Sequence, residues 1–524
     1  MPGPGGDAAL ARDPAVATGN VGLIVAPGLP RPVADSERKR VDMTSGPIAR
    51  RVGRLAWPLV LGNLLQTVYN LADLFWVGRV GREPVAAVSL MFPLSWMFVS
   101  AAMGVTAASI ALVSQHVGAG DDRRADHVVA QTILLTLALS ATLAAVGWVA
   151  RHELLSLMGA DGAVFTEALA YIEIIFLALP LTFLFFAFRA ALQGAGDTKT
   201  AMWLVFVSAG LNVVVDPFFI LGWGPFPAMG TRGAGWATFL SRGVAAVVGV
   251  GVLLRGGFGV RLRVGDLVPD PGILRTLVAV GYPATIDGWT RSFAAVVMAA
   301  FVTPFGAAAI AAYGIGVRLM SVTWSVAGAV GQATATGVGQ NLGANTPARA
   351  ASVTRVAAAG TMTLLGAAAA VCLAFPRPVT RVFIDDPAVV AETEVFLRFV
   401  APFWAFFGGT MVVQGAFRGA GRTKVAMGLS LLSRWVFRVP VAIVLAFATV
   451  TVPGTATTVA VGPGVGVRGV WTGFSVGAFL TFFVAVGWFR LGRWTEGVVD
   501  GDGPSGGSAD DPQVDPDVEA DRGD

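Results

Sequence analysis

The first half of the chain carries a row of polar side chains at helical spacing within otherwise apolar sequence. Asn63, Gln66, Asn70 and Asp73 follow one another at intervals of three or four residues, which places them on one face of a helix. Tyr69 adjoins this row, which we call the polar stripe. An amide or carboxylate that faces lipid costs several kcal/mol, so the stripe is expected to face a water-filled cavity or another helix.

A second polar pair, Asn212 and Asp216, lies one helical turn apart further along the chain. If Asp73 and Asp216 meet, the two buried carboxylates can exchange a proton near neutral pH. The oxygens of Asp73, Asp216 and Asn212 would equally suit a hard cation such as Na⁺. These residues therefore predict an ion-coupling site and leave H⁺ and Na⁺ open. In the competing interpretation, either carboxylate only caps a backbone break or pairs with an arginine, and Pro217 favours a local kink beside Asp216.

Two charged pairs lie in the second half of the chain. Asp287 and Arg291 are four residues apart, as are Arg434 and Arg438. Residues four apart are neighbours on a helix surface, so Asp287 and Arg291 can pair with each other. Both pairs fit either a structural ion network or the lining of a substrate cavity, and the sequence leaves these interpretations open.

The composition indicates the solvent in which these groups act. The chain has 524 residues, of which 55% are hydrophobic and 13% charged, with a mean hydropathy of +0.69. Soluble proteins are typically about 25% charged, so lipid is the predicted solvent and a large soluble enzyme is excluded. No His or Cys is placed usefully within a span for catalysis, and the single Cys372 cannot form an internal disulfide. We expect no enzymatic activity, no cofactor and no nucleic-acid partner.

Apolar stretches near the ~20 residues that cross a bilayer recur between polar or Gly/Pro breaks. They predict an all-α polytopic membrane protein with twelve transmembrane helices at residues 56–80, 84–114, 127–150, 165–188, 200–222, 234–254, 272–302, 306–338, 351–375, 393–416, 425–449 and 467–489. The N-terminal approach, the C-terminal exit and the connections on their side carry 21 Lys and Arg, against 7 on the other side. Both termini are therefore predicted to be cytoplasmic in a multi-pass protein of the cell membrane.

The second half of the chain also matches the first half in a single ungapped register. Pro58 falls on Pro283, and the Gly-Ala-Gly-Asp-Thr-Lys segment 194–199 falls on Gly-Ala-Gly-Arg-Thr-Lys at 419–424. Each half holds six helices in the same orientation, so two lobes are related by a pseudo-twofold axis along the membrane normal. Two such lobes that face each other can rock around a central cavity, which is the architecture of alternating access.

The repeat predicts that the two lobes differ in chemistry. The four positions of the polar stripe fall on Gly288, Arg291, Ala295 and Met298. Asn212 and Asp216 fall on Phe437 and Val441. These matching positions hold no acid, so ion coupling is predicted to be asymmetric and to lie in the first lobe.

Over roughly residues 50 to 490 the chain resembles the multidrug and toxic compound extrusion (MATE) transporters. The motifs that carry the resemblance are Trp57-Pro58, Asn70-Leu71-Ala72-Asp73, the two Gly-Ala-Gly-x-Thr-Lys loops, Asn212 to Pro217, and Gln340-Asn341-Leu342-Gly343. Within the family the chain looks most like the DNA-damage-inducible protein F branch, whose coupling site lies in the N-terminal lobe.

The resemblance implies the members of that site. They are Asp73 and Asp216, surrounded by Asn212, Tyr69, Tyr171 and Thr238. It also implies that the first helix bends at Pro58. Another branch of the family binds a cation at an acidic group in the seventh helix. The nearest residues here, Asp287 and Arg291, depart from that pattern.

We expect a disordered cytoplasmic tail over residues 1–50, a first lobe over 51–260, a cytoplasmic linker over 261–275, a second lobe over 276–492 and an acidic disordered tail over 493–524. The predicted function is antiport, in which a monomer among membrane lipids exports amphipathic or cationic organic compounds in exchange for H⁺ or Na⁺. A lipid-linked oligosaccharide flippase of the same architecture is the alternative, since it would line its cavity with arginines such as Arg291, Arg434 and Arg438.

Overall fold

The computed structural model describes residues 40–451 and 458–495. Twelve long helical segments follow one another within these ranges, and we call them spans 1 to 12. They are Ile48–Gly78, Arg82–Gly118, Asp122–Val149, Gly162–Gly194, Thr198–Leu221, Gly230–Arg255, Pro271–Val302, Ala307–Gly343, Pro347–Ala374, Pro387–Gly419, Thr423–Ala446 and Val467–Arg490. Ten are long and apolar enough to cross a membrane by length and composition. The other two are span 1, which has 31 residues and carries the polar stripe, and span 7, which has 32 residues and carries Asp287.

The predicted all-α fold with twelve transmembrane helices is therefore confirmed. Several spans extend beyond the predicted apolar stretches, because helical hydrogen bonding continues into polar sequence that a hydropathy pattern excludes. Short elements complete the chain. They are the helices Arg151–Leu157 and Pro376–Arg381, the 3₁₀ turns Val264–Asp266, Thr303–Phe305 and Ala401–Phe403, a π-helical turn at Leu432–Arg438 in span 11, and an antiparallel pair of strands, Thr449–Thr451 with Thr458–Ala460.

The repeated Gly-Ala-Gly loops are tight turns between helices. Gly196 and Gly421, the last glycine of each loop, have φ angles of +89° and +74°, which glycine adopts without strain. In the first loop Asp197 then begins span 5, because its side chain accepts a hydrogen bond from the backbone N–H of Thr200 at 3.0 Å. These turns place the ends of spans 4 and 10 beside the beginnings of spans 5 and 11.

Spans 1–6 and spans 7–12 form two lobes, each with its own aromatic core. Phe185 and Phe188 of span 4 are fully buried in the core of the first lobe. Phe396 and Trp471 are fully buried in the second, with ring centroids 4.8 Å apart in an edge-to-face arrangement. Aromatic packing of this kind holds helices together where lipid gives no hydrophobic drive between them.

The two lobes contact each other tightly at the end of the molecule that carries most Lys and Arg, which we call the charged end. There Gly118 of span 2 lies against the carbonyl of Gln340, and Gly343 of span 8 lies against the carbonyl of Gln115; a Cβ at either glycine would collide with that carbonyl. The Thr336 hydroxyl donates to the backbone carbonyl of Gln193 at 3.1 Å across the same boundary. We call this inter-lobe boundary the seam.

Residues 40–47, which we call the strap, cross the seam just before span 1. The backbone N–H of Val41 donates to the carbonyl of Gly196 in the first lobe at 3.1 Å. The backbone N–H of Met43 donates to Oε1 of Gln340 at 2.9 Å, and Nδ2 of Asn341 donates to the Met43 carbonyl at 3.1 Å. Met43 is fully buried. The strap thus ties one lobe to the other.

The strap and the linker differ from the predicted domain bounds. The tail predicted over residues 1–50 is wrong for 40–50, because the strap is held by the contacts above and span 1 begins at Ile48; residues 1–39 and 496–524 lie outside the described residues. The predicted linker 261–275 ends earlier, since Pro271 begins span 7 with Asp270 as its cap. Arg123 pairs with Asp266 in this linker, with Nη2 and Oδ1 2.6 Å apart.

Candidate functional site

Spans 1 and 5 place Asp73 and Asp216 inside the first lobe, in the halves of these helices that point away from the charged end. Asp73 is 8% exposed, and Asp216 and Asn212 are fully buried. Spans 1 and 5 pack against each other. The structure therefore brings together two acids that lie on different helices, with three whole spans between them in the sequence.

The hydroxyl groups of Tyr69 on span 1, Tyr171 on span 4 and Thr238 on span 6 complete this first-lobe site. The Tyr69 hydroxyl lies 3.1 Å from Oγ1 of Thr238 on span 6. Tyr171 of span 4 is buried. Every residue that the family resemblance implied for the site thus lies on helices that converge in the first lobe.

The acidic and amide groups of this site lack hydrogen-bond partners. Among the residues that the structure describes, both carboxylate oxygens of Asp216, Oδ1 of Asp73 and both polar side-chain atoms of Asn212 are buried and unpaired. A buried polar group without a partner is costly and uncommon in native structures, and it often marks a functional position. The set offers oxygen atoms of the kind that bind a proton or a hard cation such as Na⁺.

The set contains only two acids. No described group brings together three or more His, Cys, Asp or Glu side chains for a metal ion. If Na⁺ binds here, oxygens of Asn212 and of the neighbouring hydroxyls would have to complete its coordination.

Two of the remaining members of the polar stripe, Asn63 and Gln66, bind arginines of the same lobe, and Gln66 binds the third, Asn70. Oδ1 of Asn63 accepts a hydrogen bond from Arg189 at 3.0 Å, and Oε1 of Gln66 accepts one from Arg242 at 3.2 Å. Nε2 of Gln66 donates to Oδ1 of Asn70 at 3.4 Å. The stripe shares one helix face as predicted, but Asn63, Gln66 and Asn70 have these polar partners whereas Oδ1 of Asp73 has none.

Asn63 also reaches across to the second lobe, and Arg242 packs on aromatic rings. Nδ2 of Asn63 donates to the carbonyl of Ser325 on span 8 at 3.3 Å. The guanidinium of Arg242 lies 5.3 Å from the ring centroid of Tyr69 and 4.4 Å from that of Phe185.

Sequence reasoning counted Arg189 as a loop charge, because the apolar stretch ends at residue 188 whereas span 4 continues to Gly194.

Pro58 lies inside span 1 and is buried. It precedes Asp73 on the same helix, on the side of the charged end. A proline removes one helical hydrogen bond and weakens the helix locally, so Pro58 separates a first part near the seam from a second part that carries Asp73. The predicted bend at this position stays a prediction.

The second lobe gathers charge of the opposite sign. The Asp287 carboxylate receives three arginines: Arg434 at 2.9 Å, Arg291 at 3.2 Å and Arg418 at 3.3 Å. The predicted pairing of Asp287 with Arg291 is present, but as part of a larger cluster. Sequence reasoning missed Arg418, which it counted as a loop charge because the apolar stretch ends before it. The repeat offered a signal, because Arg418 falls on Gln193 in the first lobe, so that both lobes carry a polar residue at this position.

Two repeated lobes of six spans, sealed against each other at one end and holding buried ionisable groups, define a secondary transporter of the alternating-access class. The comparison with known families agrees. The MatE family model matches residues 58–218 and 283–444, one match in each lobe. The chain belongs to the MatE family of membrane transporters, and its branch within the family stays a prediction.

Individual relatives cover most of the chain. The probable multidrug resistance protein YoeA of Bacillus subtilis is 29% identical over 440 residues, which are 83% of this chain and 92% of that protein. A Shewanella oneidensis protein named FAD transporter is 25% identical over 413 residues, 77% of this chain and 90% of that one. A solved outward-facing conformation of a multidrug resistance MATE family transporter is 25% identical, has a TM-score of 0.77, and matches 86% of this chain and 97% of its own.

Proposed function

We propose that the chain is a secondary active antiporter that exports amphipathic or cationic organic compounds in exchange for H⁺ or Na⁺. The observation that carries the proposal is the pair of buried acids, Asp73 and Asp216, with unpaired oxygens inside the first lobe. Ionisable residues within membrane spans are functional by default, because their burial is costly. Relatives named multidrug resistance proteins support drug-like cargo.

A bound proton or Na⁺ would offset the repulsion between the two carboxylates and so favour the arrangement in which spans 1 and 5 are close. Release of the ion restores the repulsion and favours a different position of Asp73. The ion can shift the equilibrium only because its affinity differs between the two arrangements. No catalytic step on the cargo is needed, which fits the membership in a transporter family.

Span 1 links this ion site to the seam. Leu55 and Leu59, in the half of span 1 near the charged end, pack with Ala329 and Ala333 of span 8 in a core cluster shared by both lobes. The other half of span 1 holds Asp73. A change at the ion site therefore acts on the same helix that closes the seam, and Pro58 is the point where this helix yields most easily.

The basic residues of the connections support an orientation with the charged end and both termini in the cytoplasm. In this orientation the seam closes the cytoplasmic side of a cell-membrane protein, as an outward-facing arrangement requires. Both lobes and the ion site belong to one chain, so a monomer within the lipid suffices. The flippase alternative has less support, because the relatives named above are multidrug resistance proteins.

The test uses the purified chain in proteoliposomes with proton and sodium gradients imposed separately. Release of the cationic dye rhodamine 123 is followed by fluorescence. We expect Asp216→Asn and Asp73→Asn each to reduce gradient-driven release at least about tenfold, since each removes an ionisable carboxylate. Asp161→Asn, at an exposed position, is the matched control. If Asp216→Asn and Asp73→Asn leave gradient-driven release at the level of the control, the proposed coupling site is wrong.

A further inference from the structure

The arginine cluster of the second lobe carries more positive charge than its acid can neutralise. Arg291, Arg418 and Arg434 surround the single carboxylate of Asp287, which leaves a formal excess of two positive charges. A fourth arginine, Arg438, follows Arg434 by four residues in the same helical segment. Such an excess within membrane spans is unfavourable unless it serves binding.

Arg438 has no acidic partner among the described residues. Its guanidinium lies 4.4 Å from the ring centroid of Phe474, and its Nε is buried without a hydrogen-bond partner. Arg434 and Arg438 both belong to the π-helical turn Leu432–Arg438. Pro440 cannot donate a backbone N–H, which favours this wider turn, and π turns occur frequently at functional sites.

The fold itself does not require this cluster, as the repeat shows. The first-lobe positions that match Asp287, Arg291, Arg418, Arg434 and Arg438 hold Gly62, Gln66, Gln193, Ala209 and Val213. None of these five residues is charged, although both lobes have the same six-span architecture. The charges are therefore specific to the second lobe, and an explanation by helix packing alone would leave that difference unaccounted for.

The cluster has access to water. The side chain of Arg291 is 40% exposed within span 7, and a charged group that faced lipid at that depth would cost about 2.5–3.5 kcal/mol or more. It must therefore face an aqueous space. Arg318 of span 8 is also exposed and lies two helical turns before Ser325, on the helix face that meets Asn63 of the first lobe. Both arginines accordingly border the space between the lobes.

We propose that Arg434 and Arg438, supported by Arg291 and Arg418, bind an anionic group of the transported compound. This inference rests on the proposed export function and specifies its cargo as amphiphiles that carry a phosphate or carboxylate. A guanidinium group binds either a phosphate or a carboxylate through two parallel hydrogen bonds. The neighbouring Phe474 offers an apolar surface to the rest of the transported compound. The first-lobe carboxylates remain available for the coupling ion.

The test compares two dyes that share a xanthene ring and differ in charge. Anionic carboxyfluorescein and cationic rhodamine 123 are titrated against the full chain in phosphatidylcholine nanodiscs, and binding is followed by fluorescence anisotropy. We expect Arg438→Gln to weaken carboxyfluorescein binding about tenfold or more, because a charge-assisted hydrogen bond is lost. Rhodamine 123 binding should not weaken. Arg255→Gln, at an exposed helix end, should change neither affinity.

A second variant gives a change of opposite sign. Asp287→Asn removes the only acid of the cluster and should strengthen carboxyfluorescein binding, whereas damage to the fold would weaken it. Arg438→Lys keeps the charge but cannot form two parallel hydrogen bonds, so its affinity for carboxyfluorescein should lie between those of Arg438→Gln and the parent. The proposal is overturned if Arg438→Gln leaves carboxyfluorescein binding unchanged, if it weakens both dyes equally, or if Asp287→Asn weakens the anionic dye in a chain that unfolds at the parent temperature.

A further arm identifies the source of the anionic group. Nanodiscs that contain phosphatidylglycerol present a lipid headgroup of net negative charge to the same arginines, whereas the phosphate of phosphatidylcholine is balanced by its choline. Competition with carboxyfluorescein supports the site and assigns it to a lipid headgroup, and an absence of competition supports it with a water-soluble cargo. The measurement uses no ion gradient, so it stays informative if the gradient-driven release proposed above fails.

Discussion

The contacts of Met43 in the strap predict how much this residue stabilises the closed seam. Met43 is fully buried, and its side chain packs toward Gly337 and Val353 of the second lobe. Truncation of a buried methionine to alanine typically costs about 2–5 kcal/mol. The backbone hydrogen bonds of Met43 survive the substitution, so we take about 2 kcal/mol at the lower end of that range for Met43→Ala.

This free energy applies to the sealed arrangement, because opening of the seam would separate Met43 from the second lobe. A loss of about 2 kcal/mol raises the open fraction about 30-fold, since about 1.4 kcal/mol is a factor of ten. The assay uses Thr336→Cys as a reporter, because Thr336 is fully buried at the seam. Cys372, the only native cysteine, is replaced by alanine, and maleimide labelling of the reporter is timed.

The control is Met298→Ala, which truncates a buried methionine in the interior of the second lobe. It should lower the unfolding temperature with little change in the labelling rate of the reporter. The reasoning would be refuted if Met43→Ala labelled at the parent rate. It would also be refuted if Met298→Ala accelerated labelling as much, since the effect would then be general loosening.

Two further predictions concern the charged end. Gly343→Ala should destabilise the protein by about 1–3 kcal/mol, because the new Cβ would collide with the carbonyl of Gln115. The control Gly360→Ala, at a glycine with open space around it, should be neutral or stabilising in thermal unfolding. Equal effects of the two substitutions would contradict this packing. The hydrogen bond from Arg123 lowers the pKa of Asp266 in the linker, so the stability from this pair should be present at neutral pH and lost as the pH falls through that lowered pKa. Asp266→Asn should therefore lower the unfolding temperature at pH 7 and flatten its pH dependence, and an unchanged profile would show that the pair contributes nothing.

Much of the fold could be predicted from local properties of the sequence. Apolar stretches located twelve spans, and the internal repeat located the boundary between lobes. The helix ends could not be placed in the same way, because helices continue into polar sequence. Arg189 and Arg418 lie in such extensions, so they were counted with the loops although both bind polar groups inside the lobes.

The candidate site was predictable in its members and less so in its contacts. Helical periodicity placed Asn63, Gln66, Asn70 and Asp73 on one face, which the structure keeps. Periodicity carries no information about the partner helix, and the structure assigns Asn63 and Gln66 to arginines. The strap was missed because it lies in a polar stretch without periodicity, and its burial depends on residues of span 8, in the other half of the chain.

The sequence by itself determined the number of spans, the two-lobed repeat and the asymmetry of acids between the halves, because hydropathy, self-similarity and residue type are local properties of the chain. Only the tertiary structure decided that the spans of Asp73 and Asp216 pack together, that three arginines share Asp287 and that the strap crosses the seam. Apart from the pair of Asp287 and Arg291, those contacts join residues far apart in the chain. Their distances are set by how helices and lobes pack, which no local pattern records.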